Sequence, residues 1–372
     1  MLKLGKLSVL RLAEATGLSR LLSASAWRRN RLLILGYHGI SLYDEHEWSG
    51  LYISADTLRR RMDALVKARC NVLPLGEAIQ RMQDGSLPDC AVTITFDDGF
   101  HDFYRVAFPL IESYGFPVTL YLTTYYVGFN RPVFDPMCSY LLWKGRDKNQ
   151  LKWPAVFSHP VTLDAAGREF AVDAIKRFAI SAKFSAQEKD DLLAELAAHL
   201  GLDYQQLCAD RVLNLINPEE AKDLISRGAD LQYHTHRHRV CRTRDCMVAE
   251  LQDNRNHLRS YGSTDPLHFC YPYGFDFEEY PNHLRDYGIL SATTSRPGLS
   301  SPQSHPLLLP RLVDTKSVSD LEFRAWLAGT ADLLPRRREE ISGVHLEVAP
   351  AIEPIQALSI SQIDSSTHSF RP

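Results

Sequence analysis

Short apolar runs alternate with stretches of helical periodicity along most of this chain, and that alternation narrows its fold more than any other feature. Runs at 32–37, 72–75, 92–96, 118–123, 231–233, 268–271, 289–294 and 307–312 are each long enough for one strand. Helical spacing of apolar residues fills 55–69, 103–114, 218–227, 245–261, 277–287 and 319–328 between them. Cap residues mark helix starts, with Ser54 ahead of Ala55 and Asn217 ahead of Pro218. Short apolar strands that alternate with helices make a parallel sheet covered on both faces. About eight of them in 372 residues predict an α/β fold, a distorted (β/α)7-8 barrel with a largely helical insertion.

The insertion is where the rhythm breaks, at 128–215. Pro132, Pro136, Pro154 and Pro160 interrupt it, and helical patterns follow at 165–179 and 186–200. The barrel then spans 32–334. A charge cluster at 336–340 followed by Ser-rich polar sequence predicts a loosely ordered tail over 335–372. Residues 1–31 carry Lys3, Lys6, Arg11, Arg20, Arg28, Arg29 and Arg31 against Glu14 alone. Ala24-Ser25-Ala26 resembles a leader cleavage site, but Arg11, Glu14 and Arg20 interrupt the apolar core that a secretory leader needs. Two readings stand: a basic amphipathic helix in peripheral contact with an anionic membrane surface, and a solvated helix packed on the body. No run approaches 18 apolar residues, so no transmembrane helix is expected.

Composition excludes other classes. Lys plus Arg is 42 against 45 Asp plus Glu, a net charge of −3, which argues against a partner bound by bulk positive charge, so no nucleic acid is expected. Seven cysteines, an odd number spread over the chain, are no disulfide framework and point to a reducing compartment. The expected location is cytoplasmic, peripheral at the inner face of the membrane.

Three strand ends carry chemistry. Thr95-Phe96-Asp97-Asp98-Gly99 closes one apolar run. Adjacent residues on a strand face opposite ways, so both acids serve one site only if the chain curls there, which Gly99 permits. His234-Thr235-His236-Arg237-His238 follows another strand, and His234 and His238 are spaced to share a face and hold a metal. His236 joins that face only in an extended chain. Phe269-Cys270-Tyr271-Pro272-Tyr273-Gly274 closes a third, with aromatics able to stack on a sugar and backbone N–H groups able to meet an oxyanion. Asp98, His234 and His238 together make a set of two imidazoles and one carboxylate for zinc or another divalent transition metal, leaving Asp97 beside a polarised water.

This set resembles the polysaccharide deacetylases of carbohydrate esterase family 4, the NodB-homology family. The resemblance implies a metal-dependent hydrolase that removes N-acetyl groups from amino sugars, N-acetylglucosamine units of an oligo- or polysaccharide. It implies Asp97 as general base, Asp98, His234 and His238 as metal ligands, and the Tyr273 N–H as oxyanion donor. The family's third motif begins with an Arg that holds the base, and Cys270 stands there in this chain. Arg311 is the candidate replacement. The family's late general-acid His is not visible after residue 274, but Gly36-Tyr37-His38-Gly39 closes the first strand. That order resembles the circularly permuted branch, which includes poly-N-acetylglucosamine deacetylases, and implies His38 as the acid. No carboxylate can be named to orient it; Asp44 and Asp314 are only guesses. Tyr37, Trp48, Tyr125, Tyr126, Tyr271 and Tyr273 are candidates to line a sugar groove. Two rivals remain, a sugar-binding pseudoenzyme on the same barrel and a structural zinc module of His234, His236, His238, Cys241 and Cys246.

Overall fold

The structure, a computed structural model, describes residues 2–274 and 279–335. The expected tail from 336 onward and the first residues of the 277–287 helix lie outside the described residues. Eight strands form one sheet, and every pairing in it is parallel. They are β1 (Leu33–Tyr37), β2 (Asn71–Val72), β3 (Ala91–Asp98), β4 (Thr119–Leu122), β5 (Asp230–Tyr233), β6 (His268–Cys270), β7 (Ser291–Thr293) and β8 (Leu312–Val313). The order is β7-β6-β5-β4-β3-β1-β8, and β2 pairs with the first residues of β3 while β4 pairs with its last.

Segment 307–313 brings the two edges of the sheet together. Leu309 bridges Thr293 of β7, and three residues later Leu312 pairs with Leu35 of β1. The single strand expected at 307–312 is therefore only a two-residue strand preceded by an irregular stretch. Pro310 supplies no N–H for a ladder there. This near-closed parallel sheet with helices outside it is the (β/α) barrel the alternation predicts.

Helices cover the sheet from the positions the sequence marks. Ala55–Lys67 starts at a Ser54 cap, and Pro218–Ser226 at a capping box of Asn217 and Glu220. The helix expected at 103–114 divides into a π-turn at Phe103–Ala107 and an α-helix at Phe108–Ser113, because Pro109 has no N–H for the turn before it. Helix Leu75–Gln83 carries apolar Leu75, Ala78, Ile79 and Met82 on one face, and the pattern reading overlooked it. Between β4 and β5 the chain adds helices Phe134–Lys144, Ala165–Ser181, Ala186–Leu200 and Tyr204–Ala209, and a small antiparallel pair, Gln150–Leu151 with Val161–Thr162.

The first 31 residues form three helices, not one: Leu2–Ala15, Leu18–Ser23 and Ala26–Arg29. Gly17 at φ +77° turns the chain between the first two. Leu10 and Ala13 are buried, and Lys6 and Glu14 pair with Glu322 and Arg324 of helix Asp320–Ala328. Arg28 is fully buried and donates to the Leu327 and Arg31 carbonyls at 2.8 and 2.7 Å, so it anchors this layer. Val9, Leu12, Leu18 and Leu21 stay exposed. Among the described residues no helix is long and apolar enough to cross a membrane.

Candidate active site

The site is built at the end of β3. That strand is buried up to Asp97, and the chain then turns over: φ is +69° at Asp98 and +92° at Gly99. The curl begins at the aspartate itself, one residue earlier than glycine freedom suggests. A non-glycine residue in this conformation costs about 1–3 kcal/mol, which the surrounding contacts must offset. The gain is that two neighbouring carboxylates serve one centre.

Asp98 Oδ1 lies 3.1 Å from His234 Nε2 and 3.2 Å from His238 Nε2. The three donor atoms all fall within 4.8 Å of one another. The two imidazoles meet without regular helix or strand geometry. Thr235 and His238 have φ of +61° and +54°, which folds the loop back so that the rings lie 4.9 Å apart. His234 Nδ1–H donates to the Cys270 carbonyl at 2.9 Å, which fixes the ring with Nε2 facing Asp98. The chemistry of this donor set fits a divalent ion: two imidazole nitrogens and one carboxylate, with one ring already fixed in its ligating tautomer.

Electrostatics fit as well. Burial works to raise the Asp98 pKa, but the His238 and His234 rings outweigh it and hold the carboxyl well below the usual range. Burial pushes His238 down to about 4, while for His234 the neighbouring Cys270 and Asp98 outweigh burial and push it up. A cation bound there takes the place of a proton.

A second set, Asp97, His234 and Cys270, also has its donor atoms within 4.8 Å. It is the poorer cation site because a buried guanidinium already occupies it. Arg311 is 1% exposed and grips both Asp97 oxygens, Nη1 to Oδ1 at 2.8 Å and Nη2 to Oδ2. Its Nη2 is also 3.1 Å from Cys270 Sγ, and its Nε donates to the Thr294 carbonyl at 2.9 Å. Burial alone would raise the Asp97 pKa, and Arg311 holds it below the usual carboxylate range. Gly36 of β1 makes room, since a Cβ there would sit 3.2 Å from the Arg311 side chain.

His38 follows β1, and its Nε2 is 3.5 Å from Asp97 Oδ2. Its Nδ1 is buried without a hydrogen-bond partner. Neither guessed carboxylate orients it: Asp314 accepts from Arg61 Nε at 2.7 Å, and Asp44 takes Tyr140 and Lys144. Tyr273 has φ +58°, and its exposed ring packs 4.6 Å from His238. Tyr125 is also partly exposed, whereas Tyr37 and Tyr271 are 1% exposed and belong to the core, not to a groove. Tyr37 stacks on Phe96, and the Tyr271 hydroxyl donates to the Leu307 carbonyl.

His236 faces away. Its Nδ1 is 2.9 Å from Thr124 Oγ1, its ring stacks on His257, and burial pushes its pKa to about 4. Cys241 and Cys246 are joined in a disulfide, so the five residues of the zinc-module alternative are not assembled around one point.

Two supporting residues escaped the sequence reading. Asn254, buried in helix Arg244–Ser260, accepts the His234 N–H and donates to the Leu122 carbonyl and Thr124 Oγ1. Glu250, one turn earlier, accepts the Arg237 N–H at 2.7 Å and pins the loop between the imidazoles. The only signal was a pair of polar residues four apart on the face that carries Met247, Leu251 and Leu258.

The fold and this centre define a class, parallel α/β barrels with two imidazoles, a carboxylate and a second acid gathered at the strand ends. Residues 176–291 match the family model for polysaccharide deacetylase, a span that includes His234, His238 and Tyr273. That match covers less than a third of the chain. No curated protein matches the sequence. Among solved structures, IcaB from Ammonifex degensii aligns with a TM-score of 0.53 at 16% identity, over 80% of this chain and 97% of that one. The Streptococcus pyogenes deacetylase PplD, solved in complex with acetate, aligns with a TM-score of 0.52 at 16% identity, over 78% and 96%. These likenesses establish a shared fold.

Proposed function

We propose that this chain is a metal-dependent hydrolase that removes N-acetyl groups from amino sugars, N-acetylglucosamine units of a polysaccharide or glycan precursor. One observation carries the reading: a ready ligand set at Asp98, His234 and His238 adjoins a buried carboxylate, Asp97, kept ionised by Arg311. Those three residues would hold a divalent ion such as Zn2+, which would supply a Lewis acid for the acetamide carbonyl and lower the pKa of water to about 7.

The protein's own groups do the rest. Asp97 takes the proton of the attacking water, and Arg311 fixes the direction in which it does so. The Tyr273 N–H faces the developing oxyanion. His38 carries a proton to the departing amine, which cannot leave as an anion. Base and acid steps of this kind are each worth about 10²–10⁴-fold. An acid at the end of the first strand fits the circularly permuted branch of the family.

Acetate release from a panel of acetylated oligosaccharides, with chelator and with added zinc, tests the reading. Release that chelator stops and zinc restores is expected. No release from any acetylated sugar that the protein binds would favour the pseudoenzyme alternative.

For the N-terminal layer we propose peripheral contact with an anionic membrane surface at the cytoplasmic face. Val9, Leu12, Leu18 and Leu21 are exposed in helices that also carry exposed Arg11 and Arg20. Sedimentation with phosphatidylserine vesicles should fall with salt and be lost in Leu12→Ser/Leu21→Ser. Undiminished binding by that variant contradicts the proposal.

A further inference from the structure

Cys70 and Cys90 stand one residue ahead of paired strands, since Asn71 of β2 is in register with Ala91 of β3. Parallel neighbours lie about 5 Å apart, the backbone separation a disulfide requires. Their sulfurs are 2.7 Å apart, closer than two unbonded sulfurs rest. The backbone already holds this approach. Asn71 N–H donates to the Cys90 carbonyl, and its side-chain amide donates to the Asp89 carbonyl at 2.6 Å. Cys90 itself takes a left-handed φ of +49°. Both thiols are half-buried, so a small reagent can reach them.

We propose that Cys70 and Cys90 form a reversible disulfide that fastens β2 to the base of the strand carrying Asp97 and Asp98. The oxidant is a small-molecule disulfide such as oxidised glutathione. Cys90 loses its proton to solvent, and its thiolate attacks one sulfur of the reagent. The reagent's S–S bond breaks, and one glutathione thiolate leaves and takes up a proton. The Cys70 thiolate, formed by loss of its proton to solvent, then attacks the Cys90 sulfur and displaces the second glutathione. Two protein thiols are oxidised by two electrons, and one reagent disulfide is reduced to two thiols.

The surroundings favour Cys90 as the attacking group. The Cys70 thiol beside it and the Arg28 guanidinium, 3.9 Å from its sulfur, outweigh burial and bring its pKa down to about 7, while Cys70 is pushed far up. The site lies at the opposite end of β3 from the catalytic acids, so it acts on the scaffold and not on the reaction.

The test equilibrates the full chain with graded ratios of reduced and oxidised glutathione, blocks free thiols by alkylation, and maps peptides without reduction. A peptide linking Cys70 to Cys90 should accumulate in one two-electron transition, and the oxidised protein should melt several degrees above the reduced one. Cys70→Ser should instead trap a glutathione on Cys90 and lose the part of the melting difference that the cross-link provides. The proposal is overturned if both thiols stay alkylatable at the most oxidising ratio, or if Cys70→Ser keeps the full melting difference.

Discussion

Asp97 is held between opposing effects. Burial disfavours its charge, and the two-pronged grip of Arg311 restores it. Because its folded pKa lies below the unfolded value of about 3.9, it adds stability above that pH and gives it up as pH falls through the folded value. Arg311→Met removes the counter-charge and leaves a buried carboxylate alone. We expect a loss of about 3–5 kcal/mol at neutral pH in urea unfolding, and an acidic limb of the rate profile moved to higher pH. An unmoved limb would mean that Asp97 does not depend on Arg311. Asp97→Asn and His38→Ala should each lower turnover by about 10²–10⁴-fold with bound metal unchanged. Asp98→Ala should lose metal and turnover together, which metal analysis of the purified variant reads directly.

At the scale of the element, the turn after β3 decides whether the site forms. Gly99 has φ +92°, and a Cβ there would meet Leu122 Cδ1 at 2.2 Å, so a side chain would be strained in the turn and would force Leu122 of β4 to move. Gly99→Ala should destabilise by at least about 1 kcal/mol and lower metal affinity by moving Asp98. A variant that melts like wild type and binds metal equally contradicts that role. Strands were legible where apolar runs end in a turn, as at Asp97-Asp98-Gly99. They were less so in 307–313, where the ladder partners lie on two different strands. That His234 and His238 meet was legible from their spacing, but they do so through two left-handed residues and not on a shared helix or strand face, and those residues leave no mark in composition.

For the whole molecule, the barrel seam joins groups that the sequence keeps apart. Arg311 and Asp97 are 214 residues distant in the chain, and closure of the sheet between β1 and β8 brings them into contact. Fold class and the meeting of Asp98 with His234 and His238 followed from local pattern, because strand ends and imidazole spacing are local facts. Arg311 could be named only through a resemblance and its departure at Cys270. Asn254 and Glu250 escaped because their partners are set by how one helix packs on β5. The pairing of Cys241 with Cys246 and the proximity of Cys70 to Cys90 likewise belong to the folded chain and not to cysteine counting.

X-ray absorption at the zinc edge on the metal-loaded protein tests the account at its centre, because the two overlapping donor sets differ in one sulfur. Ligation by Asp98, His234 and His238 gives only nitrogen and oxygen neighbours at about 2.0–2.2 Å. A sulfur scatterer at about 2.3 Å would put the ion on Cys270 and Asp97, displace Arg311 from Asp97, and contradict the account.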